Sequence, residues 1–174
     1  MKTTFRTMAL SIFATVLLAA GDATGASSAA SQDADDVLVG AWQSHVQFKS
    51  GALASVKDLE LLFAFNAGGT LTESSNYDGA PPVPPAYGVW RKIQPRQYEA
   101  KYVFFLSKAP TAFADIAAGG GWLPGGRGVL IEKITIAEDG QSFTSTIRLD
   151  IVDASGKTIE SNSAAEGRAA RITF

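Results

Sequence analysis

Apolar and polar residues alternate with a period of two along most of the chain after position 38. In segment 40–48, Trp42 and Phe48 fall on one face of an extended chain. Gln43 and His45 fall on the opposite face. Alternation of this kind is typical of a β-strand that buries one face and exposes the other. The pattern therefore predicts a first strand with an apolar inner face.

The same alternation predicts seven further strands, separated by turn signals such as NAGGT, QPRQ, AEDGQ and DASGK. These strands are LELLFAF, TLTESSN, YGVWRKI, YEAKYVFFLS, RGVLIEKITIA, SFTSTIRLDIV and a final segment from KTIESNS to ARITF. The proline-rich YDGAPPVPPAY is predicted to be a loop, because proline cannot sit inside a sheet. Segment 108–126 is predicted to be an irregular, glycine-rich insert.

Eight consecutive strands joined mostly by short turns predict an all-β fold of residues 38–174. A single eight-stranded antiparallel up-and-down β-barrel is the most economical arrangement, because closure removes exposed sheet edges. A two-sheet sandwich is the alternative.

The amino-terminal residues have the pattern of an export signal. Lys2 and Arg6 precede the apolar run MALSIFATVLLAA, which is too short for a permanent membrane span. We therefore expect a signal peptide over residues 1–25 and a disordered lead-in over 26–37, where Ser, Ala and Asp dominate. The mature protein is expected to be exported, either periplasmic or secreted, without membrane insertion after signal removal.

Composition excludes several classes of function. The chain contains no Cys and a single His, which rules out thiol chemistry and Cys-based metal sites. We therefore predict no metal site and no cofactor. The net charge of −2 comes from interspersed charges of both signs, which argues against nucleic acid as a partner. The sequence does not determine the oligomeric state.

Two Gly-x-Trp motifs support a more specific comparison. Gly40-Ala41-Trp42 opens the first strand, and Gly88-Val89-Trp90 follows FNAGGTLT. Together with the late arginines Arg168 and Arg171, they resemble the calycin group of lipocalins and fatty-acid-binding proteins, and in particular bacterial exported lipocalin-like proteins. The resemblance implies that Trp42 plugs one end of the barrel, that Arg168 or Arg171 stacks on it, and that the barrel binds small apolar molecules. Unlike classical lipocalins, the chain has no disulfide and no clear helix beside the barrel.

Several side chains on the predicted inner faces could contact a ligand. A small hydrophobic or aromatic molecule is the expected partner, because small residues such as Ser145 leave an eight-stranded barrel partly unfilled. The glycine-rich insert would place Trp122 as a flap over the barrel mouth, or it is a surface loop whose Trp packs on a neighbouring residue. The predicted ligand-binding residues are Phe63, Phe65, Glu73, Tyr98, Tyr102, Phe104, Trp122 and Ser145.

Glu73 has two possible orientations. It faces the interior if Leu71 does, and it faces water if the register of the strand differs by one residue. An inward carboxyl would have a raised pKa suited to acid–base chemistry. The alternative function is accordingly a cofactor-independent cyclase or isomerase, as in allene oxide cyclase-like barrels, with Glu73, Tyr98 and Tyr102 as catalytic residues. The orientation of Glu132 is ambiguous in the same way. An inert, fully packed barrel is a third hypothesis for the whole protein.

Overall fold

The computed structural model describes residues 36–78, 83–112, 114–115 and 122–174. Within them it contains eight strands and one short 3₁₀ helix, Ala52–Ser55. The strands are β1 (Gly40–Phe48), β2 (Leu59–Asn66), β3 (Thr70–Ser75), β4 (Ala86–Gln94), β5 (Gln97–Lys108), β6 (Leu123–Ile136), β7 (Ser142–Asp153) and β8 (Thr158–Arg171). The predicted signal peptide and most of the lead-in lie outside the described residues.

Each strand pairs antiparallel with the next, and β1 also pairs with β8, so the sheet closes on itself. The prediction of an eight-stranded up-and-down barrel is thereby confirmed, and the sandwich alternative is wrong. In the closing pair, Trp42 of β1 lies opposite Arg171 of β8. On its other side, Trp42 lies opposite Phe63 of β2. Closure leaves no strand with a free edge, which removes the usual route to edge-to-edge association.

Trp42 closes one end of the barrel. Its side chain is completely buried, and its indole Nε1 donates a hydrogen bond to the Leu38 carbonyl at 2.9 Å. The Arg171 guanidinium lies 4.2 Å from the indole ring centroid, close enough for a cation–π interaction. Arg168 points outward and is exposed, so Arg171 is the arginine that covers Trp42.

A second group of side chains completes this closed end. Trp90 is buried beside Tyr98, with ring centroids 5.7 Å apart. The Tyr98 hydroxyl donates to the carboxylate of Asp36, which also pairs with Lys92 at 3.0 Å. Asp36 belongs to the predicted lead-in, yet its hydrogen bonds tie that part of the lead-in to the barrel floor.

Both Gly-x-Trp glycines occupy positions where a side chain would clash. Gly40 has φ of +134°, and a Cβ there would lie 2.6 Å from Arg171 Nη1. A Cβ at Gly88 would lie 2.5 Å from Tyr102 Cβ and would also collide with the Lys101 carbonyl. The motif therefore marks close approaches of the backbone to neighbouring side chains and strands, which only glycine allows.

The structure corrects the boundary of the predicted insert. β6 begins at Leu123 and not at Arg127, and Pro124 pairs with Ser107 of β5. The register of this pair shifts at Leu106 and Ser107, which lets the proline-containing segment join the sheet at an irregularity. Trp122 directly precedes β6 and is 47% exposed.

The outer face carries the polar half of the pattern. His45 is exposed, and its Nδ1 lies 3.3 Å from the Glu60 carboxylate, as its position opposite Trp42 in the alternation predicts. Arg127 and Arg148 are exposed as well. No helix among the described residues is long and apolar enough to cross a membrane.

Candidate functional site

A cavity of about 230 Å³ opens at the end of the barrel opposite Trp42. Its wall is mostly apolar and is supplied by the 3₁₀ helix, by the segment after β3 and by the inner faces of several strands. The principal apolar residues are Phe48, Leu59, Leu61, Phe104, Leu106 and Leu149. Glu73 and Asp78 are the acidic residues of the lining.

Glu73 faces the interior, which settles the open question of its register. It pairs with Phe63 of β2 and with Ala86 of β4, and its side chain is 6% exposed. Its Oε1 atom is buried and has no hydrogen-bond partner among the described residues. The pKa of Glu73 is raised to about 8, mainly by burial and to a smaller extent by the nearby carboxylates of Asp78 and Glu132. A carboxyl that is largely protonated at neutral pH therefore lies at the inner end of the cavity.

Glu132 is a second interior carboxyl, on β6. It is completely buried, and its Oε2 accepts a hydrogen bond of 2.9 Å from the Tyr102 hydroxyl. Burial raises the pKa of Glu132 to about 7, although the hydroxyls of Ser145 and Tyr102 lower it in part. Burial and the adjacent Glu132 raise the pKa of Tyr102 well above its usual value, so Tyr102 stays protonated and acts as the donor.

Glu73 and Glu132 belong to a buried polar cluster in the middle of the barrel, together with Ser44, Tyr102 and Ser145. Within the part of the chain that the structure describes, four of its atoms have no hydrogen-bond partner: Ser44 Oγ, Glu73 Oε1, Glu132 Oε1 and Ser145 Oγ. Ser145 lies near enough to influence Glu132, but no hydrogen bond of normal geometry joins the two residues. Buried polar groups are normally paired, so this concentration of unpaired groups makes the cluster a candidate part of the site.

A glycine keeps space open inside the buried polar cluster. A Cβ at Gly167 of β8 would lie 3.3 Å from Ser44 Oγ and would collide with Ser145 Oγ. The two hydroxyls therefore face each other across a backbone that carries no side chain. The glycine and the serines leave the middle of the barrel lined by polar atoms instead of methyl groups.

The predicted site residues divide into three groups. Glu73 and Phe104 line the cavity. Phe63, Phe65, Tyr102 and Ser145 are buried deeper in the barrel, where the Phe63 ring contacts the Tyr102 ring with centroids 5.7 Å apart. Tyr98 lies at the closed end against Asp36, and Trp122 is not part of the cavity wall. The structure therefore does not bring Tyr98 together with Glu73, because the two residues occupy different levels of the barrel.

Asp78 and Ser44 are polar contributors to the site that were not predicted from the sequence, and most apolar residues of the cavity wall were not predicted as site residues either. Asp78 follows β3 in a turn, where its carboxylate accepts a hydrogen bond of 2.7 Å from the Ser75 amide. Ser44 stands between Trp42 and Val46 on the apolar face of β1 and is completely buried. In the sequence, Ser44 could have been recognised as a lone polar residue within an apolar face. Asp78 gave no such signal, because turn residues have no periodic pattern.

The described part of the chain contains no group of three or more His, Cys, Asp or Glu side chains able to hold a metal ion. Fold and interior together define a closed eight-stranded antiparallel β-barrel with an internal cavity, an architecture consistent with the calycin type. No family model, curated protein or solved structure matches the chain.

Proposed function

We propose that the protein binds a small hydrophobic or aromatic molecule inside its barrel. The observation that carries this proposal is the apolar cavity of about 230 Å³, which ends on the carboxyl of Glu73. Binding sites for small molecules commonly combine an apolar wall with a few polar groups that orient the ligand. Here the apolar body would contact Phe104 and its neighbours, and a polar group of the ligand would reach Glu73.

Export belongs to the same proposal. The basic and apolar start of the chain supports a signal peptide over residues 1–25, and the resemblance to exported lipocalin-like proteins agrees with it. Under this proposal, the barrel is a periplasmic or secreted carrier of its ligand.

Filling the cavity should weaken binding strongly. Ala86 is buried in the cavity wall and pairs with Glu73, so Ala86→Phe would occupy the space that the ligand needs. We expect affinity for 2-phenylethanol, a small neutral aromatic probe, to fall at least ~10-fold, which corresponds to about 1.4 kcal/mol. The measurement is an NMR titration of the folded protein, with thermal melting to verify that each variant folds.

Ala64→Phe is the matched control for this experiment. Ala64 lies on β2 with its side chain on the outer face, where it is exposed. The same substitution there should leave the affinity within about 2-fold of wild type, because surface changes far from a site rarely alter it. Equal affinities for wild type and Ala86→Phe would show that the probe does not enter the cavity.

A cofactor-independent isomerase is the second candidate, and one observation favours it. A carboxyl with a raised pKa reaches the cavity and could transfer a proton to or from a bound carbonyl compound. In this reaction Glu73, in its ionised form, removes a proton from the carbon next to the carbonyl and later returns it at another position. Tyr98 is too far down the barrel to take part, and Tyr102 would position Glu132.

The isomerase candidate predicts catalysed proton exchange. In D₂O the protein should accelerate deuterium incorporation at the acidic carbons of 2-indanone, and the rate should rise with pH until Glu73 is ionised. Glu73→Gln should slow the exchange at least ~100-fold, the usual contribution of a general base. The measurement is the loss of the corresponding proton signals by NMR. Exchange at the wild-type rate in Glu73→Gln would eliminate this candidate, with Glu60→Gln on the outer face as the control.

A further inference from the structure

We propose that the cavity selects a protonated amine attached to a small apolar body. This inference rests on the proposed function, because it names the chemical class of the ligand that the barrel binds. The polar group that reaches Glu73 would then be a cationic ammonium group and not a neutral hydroxyl or a carboxylate. The main observation is an apolar cavity whose described lining contains two carboxyl groups and no basic side chain.

Carboxyl groups are concentrated at the inner end of the cavity. Glu73 and Asp78 both line it, and Glu132 lies behind Glu73 in the buried polar cluster. The three carboxyls are close enough that Asp78 and Glu132 both act on the ionisation of Glu73. Like charges at such a site repel each other unless a cation or a proton compensates them.

No protein cation supplies this compensation within the described residues. Among the described residues, the cavity wall contains no Lys, Arg or His. Every described Lys and Arg is exposed on the outside except Arg171, which is partly buried over Trp42 at the opposite end. Segments 79–82 and 116–121, which flank strands of this end in the sequence, contain no basic residue. In the free protein a proton on Glu73 supplies the compensation, and a cationic ligand would replace that proton.

The hydrogen-bonding groups also suit an ammonium group. Oε1 of Glu73 is a buried acceptor without a donor, on a side chain that reaches the cavity. A primary ammonium group carries three donors and no acceptor, so it can pair with Glu73 without leaving a buried acceptor of its own unsatisfied. An ionic hydrogen bond is also about twice as strong as a neutral one.

Cavity size restricts the apolar part. Sites for drug-sized ligands typically measure ~300–1,000 Å³, and this cavity measures about 230 Å³. The apolar body is therefore expected to be about the size of one aromatic ring with a short chain. Phe48 and Phe104 in the cavity wall offer it aromatic surfaces.

Binding of an amine should release a proton. Glu73 is mostly protonated at pH 7 in the free protein, with a pKa of about 8. The charged or polar groups that face it are Asp78 after β3, Tyr102 of β5 and Glu132 of β6, whereas β2 and β4 present apolar side chains. A cation beside Glu73 favours the carboxylate, so the carboxyl proton leaves as the ammonium group binds.

The test compares three probes that share one phenyl ring: phenethylamine, 2-phenylethanol and 3-phenylpropanoate. Calorimetry at pH 7 should show the amine binding at least ~10-fold more tightly than the alcohol, and no detectable binding of the carboxylate. Repeating the amine titration in buffers of different ionisation enthalpy should reveal the release of about one proton per ligand.

Glu73→Gln keeps the shape of the side chain and removes its charge. Amine affinity should fall at least ~10-fold in this variant, and the amine should lose its advantage over the alcohol. Glu60→Gln, on the outer face of β2, should leave the affinities for all probes unchanged. A melting temperature measured for each variant verifies folding.

The outcomes separate this inference from the proposed function. If the alcohol binds as tightly as the amine and Ala86→Phe strongly weakens both interactions, the barrel is a ligand carrier but its preference for amines is refuted. Tight binding of the carboxylate would refute the preference as well. If no probe binds to wild type, the proposed function itself fails.

Discussion

Glu73→Gln should remove most of the loss of stability that the wild-type protein suffers between pH 5 and pH 8. The pKa of Glu73 is raised from 4.5 to about 8 in the folded protein. The protonated folded form is therefore favoured at low pH, and this contribution to stability is lost as pH rises through the folded pKa. One pKa unit corresponds to about 1.4 kcal/mol, so the loss for this group is on the order of 3 kcal/mol. Urea unfolding at several pH values measures it.

Two comparisons make this result specific. Glu132 has a folded pKa of about 7, so Glu132→Gln should remove a smaller part of the same pH dependence, mostly below pH 7. Glu60→Gln, on the outer face, should leave the wild-type profile intact. A wild-type free energy of unfolding that stays flat from pH 5 to pH 8 would contradict the burial of both carboxyls.

Trp42→Ala should lower the free energy of unfolding by about 3–5 kcal/mol, the usual cost of removing a large buried aromatic side chain. Trp42 is completely buried, packs on Phe143 with ring centroids 5.0 Å apart, and is covered by Arg171 at 4.2 Å. The substitution opens a cavity at the closed end and removes the hydrogen bond to the Leu38 carbonyl. Equilibrium denaturation at pH 5 measures the difference.

Trp122→Ala is the matched control, because it deletes the same side chain where it is 47% exposed. Its effect should stay within about 0.5 kcal/mol, as for most surface substitutions. Similar losses for the two variants would mean that Trp42 does not form the floor of the barrel.

The two buried carboxyls connect stability with the proposed function. A barrel interior filled by apolar side chains would avoid both the cost of burying these acids and the unpaired atoms of the buried polar cluster. Glu73 and Glu132 lower the stability of the folded protein at neutral and higher pH, and a cationic ligand would reverse part of that cost. Binding and catalytic sites commonly depart from the most stable packing in this way.

The sequence predicted which side chains face inward, but it did not predict which side chains of different strands contact each other. Period-two alternation predicted the inner positions of Trp42, Phe63 and Phe65, because a strand between solvent and core must alternate. It did not decide between Arg168 and Arg171, which lie on opposite faces of β8 near its end. Only the pairing of β8 with β1 places Arg171 over Trp42.

The sequence by itself determined the eight strands, their order along the chain and the all-β class, because periodicity and turn residues are local properties. It favoured a barrel over a sandwich, and the pairing of β1 with β8 decided between them. It also identified Glu73 as the residue on which a catalytic or binding role would depend. Only the tertiary structure decided that Glu73 points inward, that Glu132 and Asp78 lie near it, and that Tyr98 belongs to the floor. The reason is that strand register and stagger around a closed barrel set which residues of different strands share a level, and neither is encoded within one strand.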